Sequence, residues 1–150
     1  MNRLAQISAA AAIAITAAAC GGSNAASTVT APTAGPIVTE TFTGTLNPPV
    51  GGVFQANSHT FTVATGGGNI NITLLSAGPP STIQLGLALG NPSSTGACAI
   101  IAGFVVPSTP AGSTAQLPAT GAPAGAYCVV VADVGNVLQP VTYTVTVAHS

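Results

Sequence analysis

The sequence has 150 residues, enough for one domain, and its charge content is very low. Arg3, Glu40 and Asp133 are its only residues with a fixed charge, so no Lys or Arg follows position 3. Because neutralising phosphates requires several basic side chains, this composition excludes nucleic acid as an electrostatic partner. Apolar residues make up 47% of the chain, and its polar residues are mostly neutral, unlike those of charge-rich disordered chains. We therefore expect a folded core.

The N-terminus predicts an export signal over residues 1–19. Arg3 precedes an apolar run that is too short and too rich in alanine for a membrane-spanning helix. The sequence Ala17-Ala18-Ala19-Cys20 resembles the lipobox of bacterial lipoproteins, which implies cleavage before Cys20 and acylation of its thiol and new amine. Gly21, where sorting signals for the inner membrane carry Asp, implies the outer membrane by the same resemblance. A plain secretory signal with a chance cysteine is the alternative.

Residues 20–36 predict an acylated cysteine followed by a flexible tether. Gly, Ser, Ala, Thr and Pro dominate this segment, and it has no apolar periodicity. A coil of about sixteen residues has an r.m.s. span of roughly 20–24 Å. We therefore expect the following domain, residues 37–150, to lie close to the membrane.

After the tether, apolar and polar residues alternate with a period of two, which is typical of strands half buried in a sheet. No helical stripe interrupts this pattern, and Gly, Pro and Asn separate the runs. The sequence therefore predicts an all-β fold, an antiparallel sandwich of about eight strands. The predicted strands cover residues 37–46, 58–65, 69–76, 82–90, 98–106, 113–117, 126–133 and 140–148.

Residues 127–131, Tyr-Cys-Val-Val-Val, break the alternation because they are apolar on both faces. Such a strand is expected at the centre of a sheet, with its second face covered. A covering loop or a disulfide would explain the pattern, and an exposed apolar docking patch is the alternative.

Three cysteines are present, and setting Cys20 aside for acylation leaves Cys98 and Cys128 as an even pair. Export places this pair in an oxidising compartment, where disulfides form. We therefore predict a Cys98–Cys128 disulfide that joins the start of the fifth strand to the seventh.

Five segments contain motifs that are defined by the spacing of their hydrophobic residues. They are residues 42–46 (Phe-Thr-Gly-Thr-Leu), 59–63 (His-Thr-Phe-Thr-Val), 68–74 (Gly-Asn-Ile-Asn-Ile-Thr-Leu), 125–131 (Gly-Ala-Tyr-Cys-Val-Val-Val) and 141–145 (Val-Thr-Tyr-Thr-Val). With these segments, residues 37–148 resemble the bacterial pre-peptidase C-terminal domain. The resemblance implies a jelly-roll-like β-sandwich of the kind appended to secreted enzymes. Relatives among collagen-binding domains hold calcium and grip extracellular polymers.

The chain departs from this family at its acidic positions. His59-Thr60-Phe61 stands where family members have an Asp before the aromatic residue, and Ser81-Thr82-Ile83 replaces the acidic residues before the fourth strand. Calcium prefers several carboxylate oxygens, and only Glu40 and Asp133 remain. The family's calcium binding is therefore not carried over to this chain.

The chain offers few groups for catalysis or metal binding. It has no G-x-S-x-G elbow, and Ser58 should point to the opposite face of its strand from His59. A zinc site would need both histidines and both carboxylates to converge, which no motif indicates. His149 is next to last in the sequence, so we expect it to fray. We predict no catalytic residues, no metal site and no cofactor.

The segment Asp133-Val134-Gly135-Asn136 has two interpretations. Its carboxylate and amide oxygens could bind a cation. Alternatively, Asp133 and Asn136 satisfy backbone groups in a hairpin turn, as these residue types commonly do, and this is the interpretation we favour.

Binding is the function that needs the least chemistry, because a rigid sheet can present backbone and neutral polar groups such as its outward Thr and Asn. We predict a lipid-anchored, non-catalytic interaction module at the bacterial cell envelope, with a protein or glycan ligand. A structural or assembly subunit of a larger envelope complex is the alternative. The sparse chemistry argues against an enzyme. With so little charge to screen, salt should hardly change affinity.

Overall fold

The computed structural model of the chain describes residue 33 and residues 35–150. The predicted signal peptide, Cys20 and most of the predicted tether lie outside these residues. The described residues form eight strands and no helix, which confirms the all-β prediction. The strands are β1 (Val38–Leu46), β2 (Ala56–Val63), β3 (Gly68–Gly78), β4 (Gln84–Pro92), β5 (Cys98–Pro110), β6 (Leu117–Ala122), β7 (Gly125–Ala132) and β8 (Val141–His149).

The strands form two four-stranded antiparallel sheets that pack as a sandwich. Their orders are β1-β8-β3-β6 and β2-β7-β4-β5. The chain crosses from one sheet to the other at every connection except that between β4 and β5. This eight-strand order is that of a jelly roll, so the predicted sandwich is confirmed together with its jelly-roll character.

The core lies between the sheets and is built from the inward side of each strand. On β8, the Val and Tyr side chains are buried and the threonines that alternate with them face outward. Full burial of one such apolar side chain contributes about 1.5–3 kcal/mol, so the alternation fixes which face of each strand points inward.

The position predicted for the sixth strand, residues 113–117, was wrong. β6 runs from Leu117 to Ala122, through a segment whose Pro and Gly content predicts a turn. β6 is at the edge of its sheet, where Pro118 needs no hydrogen-bond partner on its open side. Leu117 and Ala119 are buried against the core. The burial of Leu117 and Ala119 in an edge strand therefore outweighs the preference of the Pro and Gly residues for a turn.

The predicted disulfide is present between Cys98 of β5 and Cys128 of β7, with a Cα–Cα distance of 5.9 Å. β4 lies between these two strands, and the bridge passes over Gly90 of β4. A Cβ at Gly90 would lie 2.7 Å from Cys98 Sγ, so the crossing requires glycine. β7 is central in its sheet, and the bridge covers its outer face at Cys128, which accounts for part of the apolar run 127–131.

The connections between strands divide the molecule into two ends. The end that we call the four-loop end carries loops 47–55, 79–83, 111–116 and 133–140. The end that we call the terminal end carries loops 64–67, 93–97 and 123–124, the start of β1 and the end of β8. A strand of nine residues spans about 30 Å, which is the approximate distance between the two ends.

Candidate functional site

His59 lies between the two sheets, beside β1. Its Nε2 is 2.8 Å from the Tyr143 hydroxyl, and its ring stacks on Phe42 at a centroid distance of 5.0 Å. Burial lowers the pKa of His59 below 6.5. Burial also raises the pKa of Tyr143 above 10.0, although a side-chain hydrogen bond to Asn57 opposes this. Ser58 is exposed on the opposite face of β2, so it is not a nucleophile beside His59.

His149 is buried, and the expectation that it frays was wrong. Its Nε2 is 2.9 Å from Glu40 Oε1 of β1, and its ring packs against Phe61 at a centroid distance of 5.1 Å. The next residue, Ser150, is also buried and donates a hydrogen bond from its hydroxyl to the Gly67 carbonyl. These contacts hold the end of β8 on the sheet.

Asp133 organises the turn that follows β7. Its Oδ1 accepts hydrogen bonds from the backbone N–H groups of Gly135, Asn136 and Val137, at 2.8, 3.1 and 3.2 Å. The turn role that the sequence predicted for Asp133 is therefore present.

The predicted ionisable candidates lie in three separate places. His59 is between the sheets, Asp133 is at the four-loop end, and the Glu40–His149 pair is at the terminal end. Within residue 33 and residues 35–150, no three His, Cys, Asp or Glu side chains are close enough together to hold a metal ion. The convergence that a zinc site would need is not found there.

Exposed apolar side chains are concentrated at the four-loop end. Ten large hydrophobic residues are exposed in the described part of the chain, and half of them lie on loops 47–55 and 133–140. Leu138 and Val50 are 88% and 81% exposed. Clusters of this kind mark interaction surfaces more often than scattered single residues do. The cluster, which we call the apolar loop cluster, consists of Val50, Val53, Phe54, Val134 and Leu138.

The local backbone places these side chains at the surface. Gly51-Gly52 has positive φ angles of 62° and 80°, which a two-residue turn of this type requires. The turn is closed by a hydrogen bond from Val53 N to the Val50 carbonyl, at 3.2 Å, so both valines stand at the loop tip. Phe54 lies beside Gly135 of the neighbouring loop. A Cβ atom added to Gly135 would be 3.6 Å from the Phe54 ring.

One backbone hydrogen bond joins the two loops of the cluster, and further hydrogen bonds hold each loop in place. Asp133 N donates to the Gln55 carbonyl at 2.9 Å, and Gln55 Oε1 accepts from Asn47 N at 2.8 Å. Asn136 Nδ2 donates to the Gln84 carbonyl at 3.0 Å, which joins the second loop to β4. The apolar side chains are therefore presented from a fixed backbone.

A shallow groove of about 310 Å³ opens at the same end, between loops 79–83 and 133–140. Pro79, Pro80 and Ile83 form one wall, and Leu138 belongs to the other. No residue that lines the groove carries a charge. The groove extends the neutral surface beyond the apolar loop cluster.

The outer face of the β1-β8-β3-β6 sheet is a second neutral surface, as the sequence predicted for outward Thr and Asn. Threonines of β1 stand directly opposite threonines of β8. This face carries hydroxyl groups and no aromatic ring on those two strands. The paired residues are Thr41 with Thr146, Thr43 with Thr144 and Thr45 with Thr142.

The apolar loop cluster was not identified from the sequence. A usable signal was nevertheless present, because apolar residues flank Gly51-Gly52 inside a segment that otherwise predicts a loop. Apolar residues at the tip of a turn have no adjacent strand through which to reach the core. They therefore remain exposed in the described domain.

No family model matches this chain, and no curated protein matches its sequence. In the part of the chain that the structure describes, no helix is long and apolar enough to cross a membrane. A jelly roll is compatible with many functions, which depend on the groups that its surface presents.

Proposed function

We propose that this protein is a lipid-anchored, non-catalytic binding module of the bacterial cell envelope and that the apolar loop cluster is its binding surface. The observation that carries this proposal is the concentration of exposed apolar side chains on two neighbouring loops, which a backbone hydrogen bond from Asp133 to Gln55 joins. The charged residue of these loops, Asp133, is buried. The partner that fits is a protein with a neutral, apolar surface, because hydroxyl-rich glycans would find few hydrogen-bonding groups on these side chains.

The point where the described chain enters the sandwich supports a contact made at the opposite end. Residue 35 approaches the body at the terminal end, where a Cβ at Gly35 would lie 3.8 Å from the Ser150 backbone. The four-loop end is at the opposite end of the sandwich from the point where residue 35 enters it.

The absence of catalysis is supported by the state of the ionisable groups. His59 contacts Tyr143, His149 contacts Glu40, and Asp133 caps its turn. Catalysis by side chains requires a positioned nucleophile, acid, base or metal. Recognition by the apolar loop cluster requires none of these groups.

The anchor is tested by mass spectrometry of the native protein purified from membranes. The expected mature chain begins at Cys20, lacks residues 1–19 and carries added acyl mass. A soluble product that begins at another residue would remove the anchor from the proposal and leave the binding surface to be tested separately.

The binding surface is tested by cross-linking and purification from the protein's own cells. A variant with Val50→Ser, Phe54→Ser and Leu138→Ser should lose the partners that the unmodified protein retains. The matched control changes exposed apolar residues of the terminal end, Ile37→Ser and Val38→Ser, and should retain them. Raising salt to about 1 M should hardly alter retention. Equal retention by both variants, or loss at high salt, would contradict the proposal.

The edge strands favour a second candidate function, an assembly subunit of a larger envelope complex. β1 and β2 are edges of their sheets, and neither carries Lys, Arg, Pro or a register shift; the one charged side chain on them, Glu40 of β1, is paired with His149. Free edges usually carry one of these features, which prevent another strand from pairing with them. If β1 joins another subunit, Thr41→Lys should reduce the size of native envelope complexes, whereas the apolar loop variant should leave it unchanged.

A further inference from the structure

The two open sides of the sandwich differ in how their edge strands are protected. Each side is formed by one edge strand from each sheet, β5 with β6 on one side and β1 with β2 on the other. On the β5–β6 side both strands contain proline, and each changes register along its inner neighbour. Prolines and register shifts prevent a further strand from pairing with an edge. This side is therefore closed to strand addition in both sheets.

The β1–β2 side has neither form of protection. β1 and β2 contain no Pro, Lys or Arg, and both keep one continuous register with their inner neighbours. Glu40 lies near the start of β1 and bonds to His149, so the middle of each strand has no fixed charge. Apart from the ladders with β8 and β7, the described residues give these two backbones one hydrogen bond, from Asn57 Nδ2 to the Thr45 carbonyl. Both edges are therefore open to another strand.

The two open edges lie next to each other across the gap between the sheets. The Phe42 ring of β1 stacks on the His59 ring of β2 at a centroid distance of 5.0 Å. Packed sheets are about 10 Å apart, so this side presents two free strands at that spacing. A partner that occupies both edges must itself present two free strands about 10 Å apart. A second copy of this chain has such a pair.

We propose that two copies of this chain form a dimer through the β1–β2 side. β1 pairs antiparallel with β1 of the second copy, and β2 pairs antiparallel with β2 of the second copy. One two-fold axis perpendicular to the sheets produces both pairings, because the rotation reverses each strand and leaves each sheet in its own plane. Each four-stranded sheet becomes part of a sheet that continues across both copies. Two-fold contacts, in which one surface meets itself, are the commonest in soluble oligomers.

The side chains of these strands suit pairing with themselves. The outward positions of β1 are threonines, and those of β2 include Thr60 and Thr62. Hydroxyl and β-branched side chains form favourable cross-strand pairs, whereas like charges placed opposite each other are unfavourable. Phe42 is only half-buried in the single chain, and the second copy would cover it. The main-chain hydrogen bonds of strand addition supply affinity without any charged group.

This inference rests on the second candidate function, the assembly role of the edge strands, and it names the partner. The apolar loop cluster and Ile37 lie outside β1 and β2, so neither belongs to the paired strands. The dimer would carry one apolar loop cluster at each of its two ends. Binding by that cluster and pairing of the edges are therefore tested by different variants.

The first test is native mass spectrometry of the full chain purified from its own cells, since any bound detergent is removed in the measurement. At about 100 μM, where contacts of micromolar affinity are occupied, the unmodified protein should have twice the mass of the chain. The variant with Thr43→Lys and Thr60→Lys places a positive charge in the middle of both edges and should be monomeric. A monomeric unmodified protein would overturn the inference.

The matched control places the same two charges on the protected side of the sandwich. It carries Ala102→Lys in β5 and Thr120→Lys in β6, both at exposed positions. The control should remain dimeric, and circular dichroism should show the same strand content in both variants. Dissociation of the control to the same extent as the edge variant would place the contact elsewhere and overturn the inference.

Photo-cross-linking in the native cells is a test that does not depend on the folding of a lysine variant. A photoreactive amino acid at position 60 of β2 should give an adduct of twice the chain mass, joined to β2 of the second copy. The same group at position 120 of β6 should give no such adduct. An adduct of position 60 with a different protein, or no adduct, would overturn the pairing of two copies. The first of these results would still support the second candidate function, so the two failures are distinguishable.

Discussion

The terminal end of the sandwich buries polar side chains, whereas the four-loop end exposes apolar ones. At the terminal end, His149 and Ser150 are buried, and Glu40 and Gly67 accept their hydrogen bonds. At the four-loop end, the backbone is also hydrogen bonded, but Val50 and Leu138 extend into solvent. The two ends therefore differ in the burial of their side chains, whereas the backbone is hydrogen bonded at both.

This difference separates residues that stabilise the fold from residues of the proposed binding surface. Polar residues that are buried and bonded at the terminal end add stability, because losing one partner would leave the other buried and unsatisfied. Exposed apolar residues at the four-loop end add little stability, since they gain nothing from burial in the free domain. Substitutions at the two ends should therefore affect different measurements.

Among changes at the two ends of the sandwich, removal of the Cys98–Cys128 disulfide, which links β5 to β7 near the terminal end, should have the largest effect. Changing both cysteines to Ala should lower the free energy of unfolding by about 3–4 kcal/mol, because the bridge closes a loop of about 30 residues. Denaturation in urea measures this loss. A loss below about 1 kcal/mol would contradict a stabilising role for the bridge.

Gly90→Ala should have the next largest effect, about 1–3 kcal/mol, because its Cβ would meet Cys98 Sγ and the Ala99 carbonyl. Gly112→Ala is the matched control, since its Cβ would meet only Gln116 Nε2 at an ordinary 3.6 Å. The control should be neutral or slightly stabilising. Part of the cost of Gly90→Ala should disappear when both cysteines are Ala. Identical costs in the two backgrounds would mean that the bridge does not cross Gly90.

The pH dependence of stability should report on His59, which lies between the two ends. Burial lowers its pKa in the folded protein below the 6.5 of the unfolded chain. As pH falls, His59 therefore binds its proton at a higher pH in the unfolded chain than in the folded protein. The stability that neutral His59 contributes is complete above pH 6.5 and is lost as pH falls toward the pKa of His59 in the folded protein. His59→Gln should flatten the dependence of unfolding free energy between pH 7 and pH 5. An unchanged slope in the variant would exclude His59 as its source.

The smallest effect on stability should come from the apolar loop cluster. Val50→Ser and Leu138→Ser should each change the free energy of unfolding by less than about 0.5 kcal/mol, because these side chains are already in water. Leu74→Ala, at a fully buried position of β3, should cost about 2–5 kcal/mol. A loss above about 1 kcal/mol at either loop position would mean that the cluster packs against the body.

The sequence predicted most of the fold and little of the candidate site, for physical reasons. A period of two specifies both a strand and its buried face, which is why β8 was found at almost its full length. The cysteine count and the predicted export to an oxidising compartment were enough to predict the pair Cys98 and Cys128. β6 was misplaced because edge position, which allows Pro118, is a property of the assembled sheet.

The position of the proposed binding surface depends on contacts between segments that are distant in sequence. Gln55 and Asp133 meet only because the jelly roll brings loops 47–55 and 133–140 to the same end. His149 was expected to fray because the sequence does not reveal that Glu40 lies across from it on β1. Local patterns predict strands, whereas the neighbours of a loop follow from topology.

The most direct test of the account is site-specific photo-cross-linking of the full-length protein in its native cells. A photoreactive amino acid at position 50 or 138 should give a discrete protein adduct. The same group at position 37, equally exposed at the terminal end, should give none. Mass spectrometry of the adduct should identify a partner whose cross-linked surface is apolar and uncharged. Adducts of equal yield from position 37, or none from positions 50 and 138, would contradict a binding surface at the four-loop end.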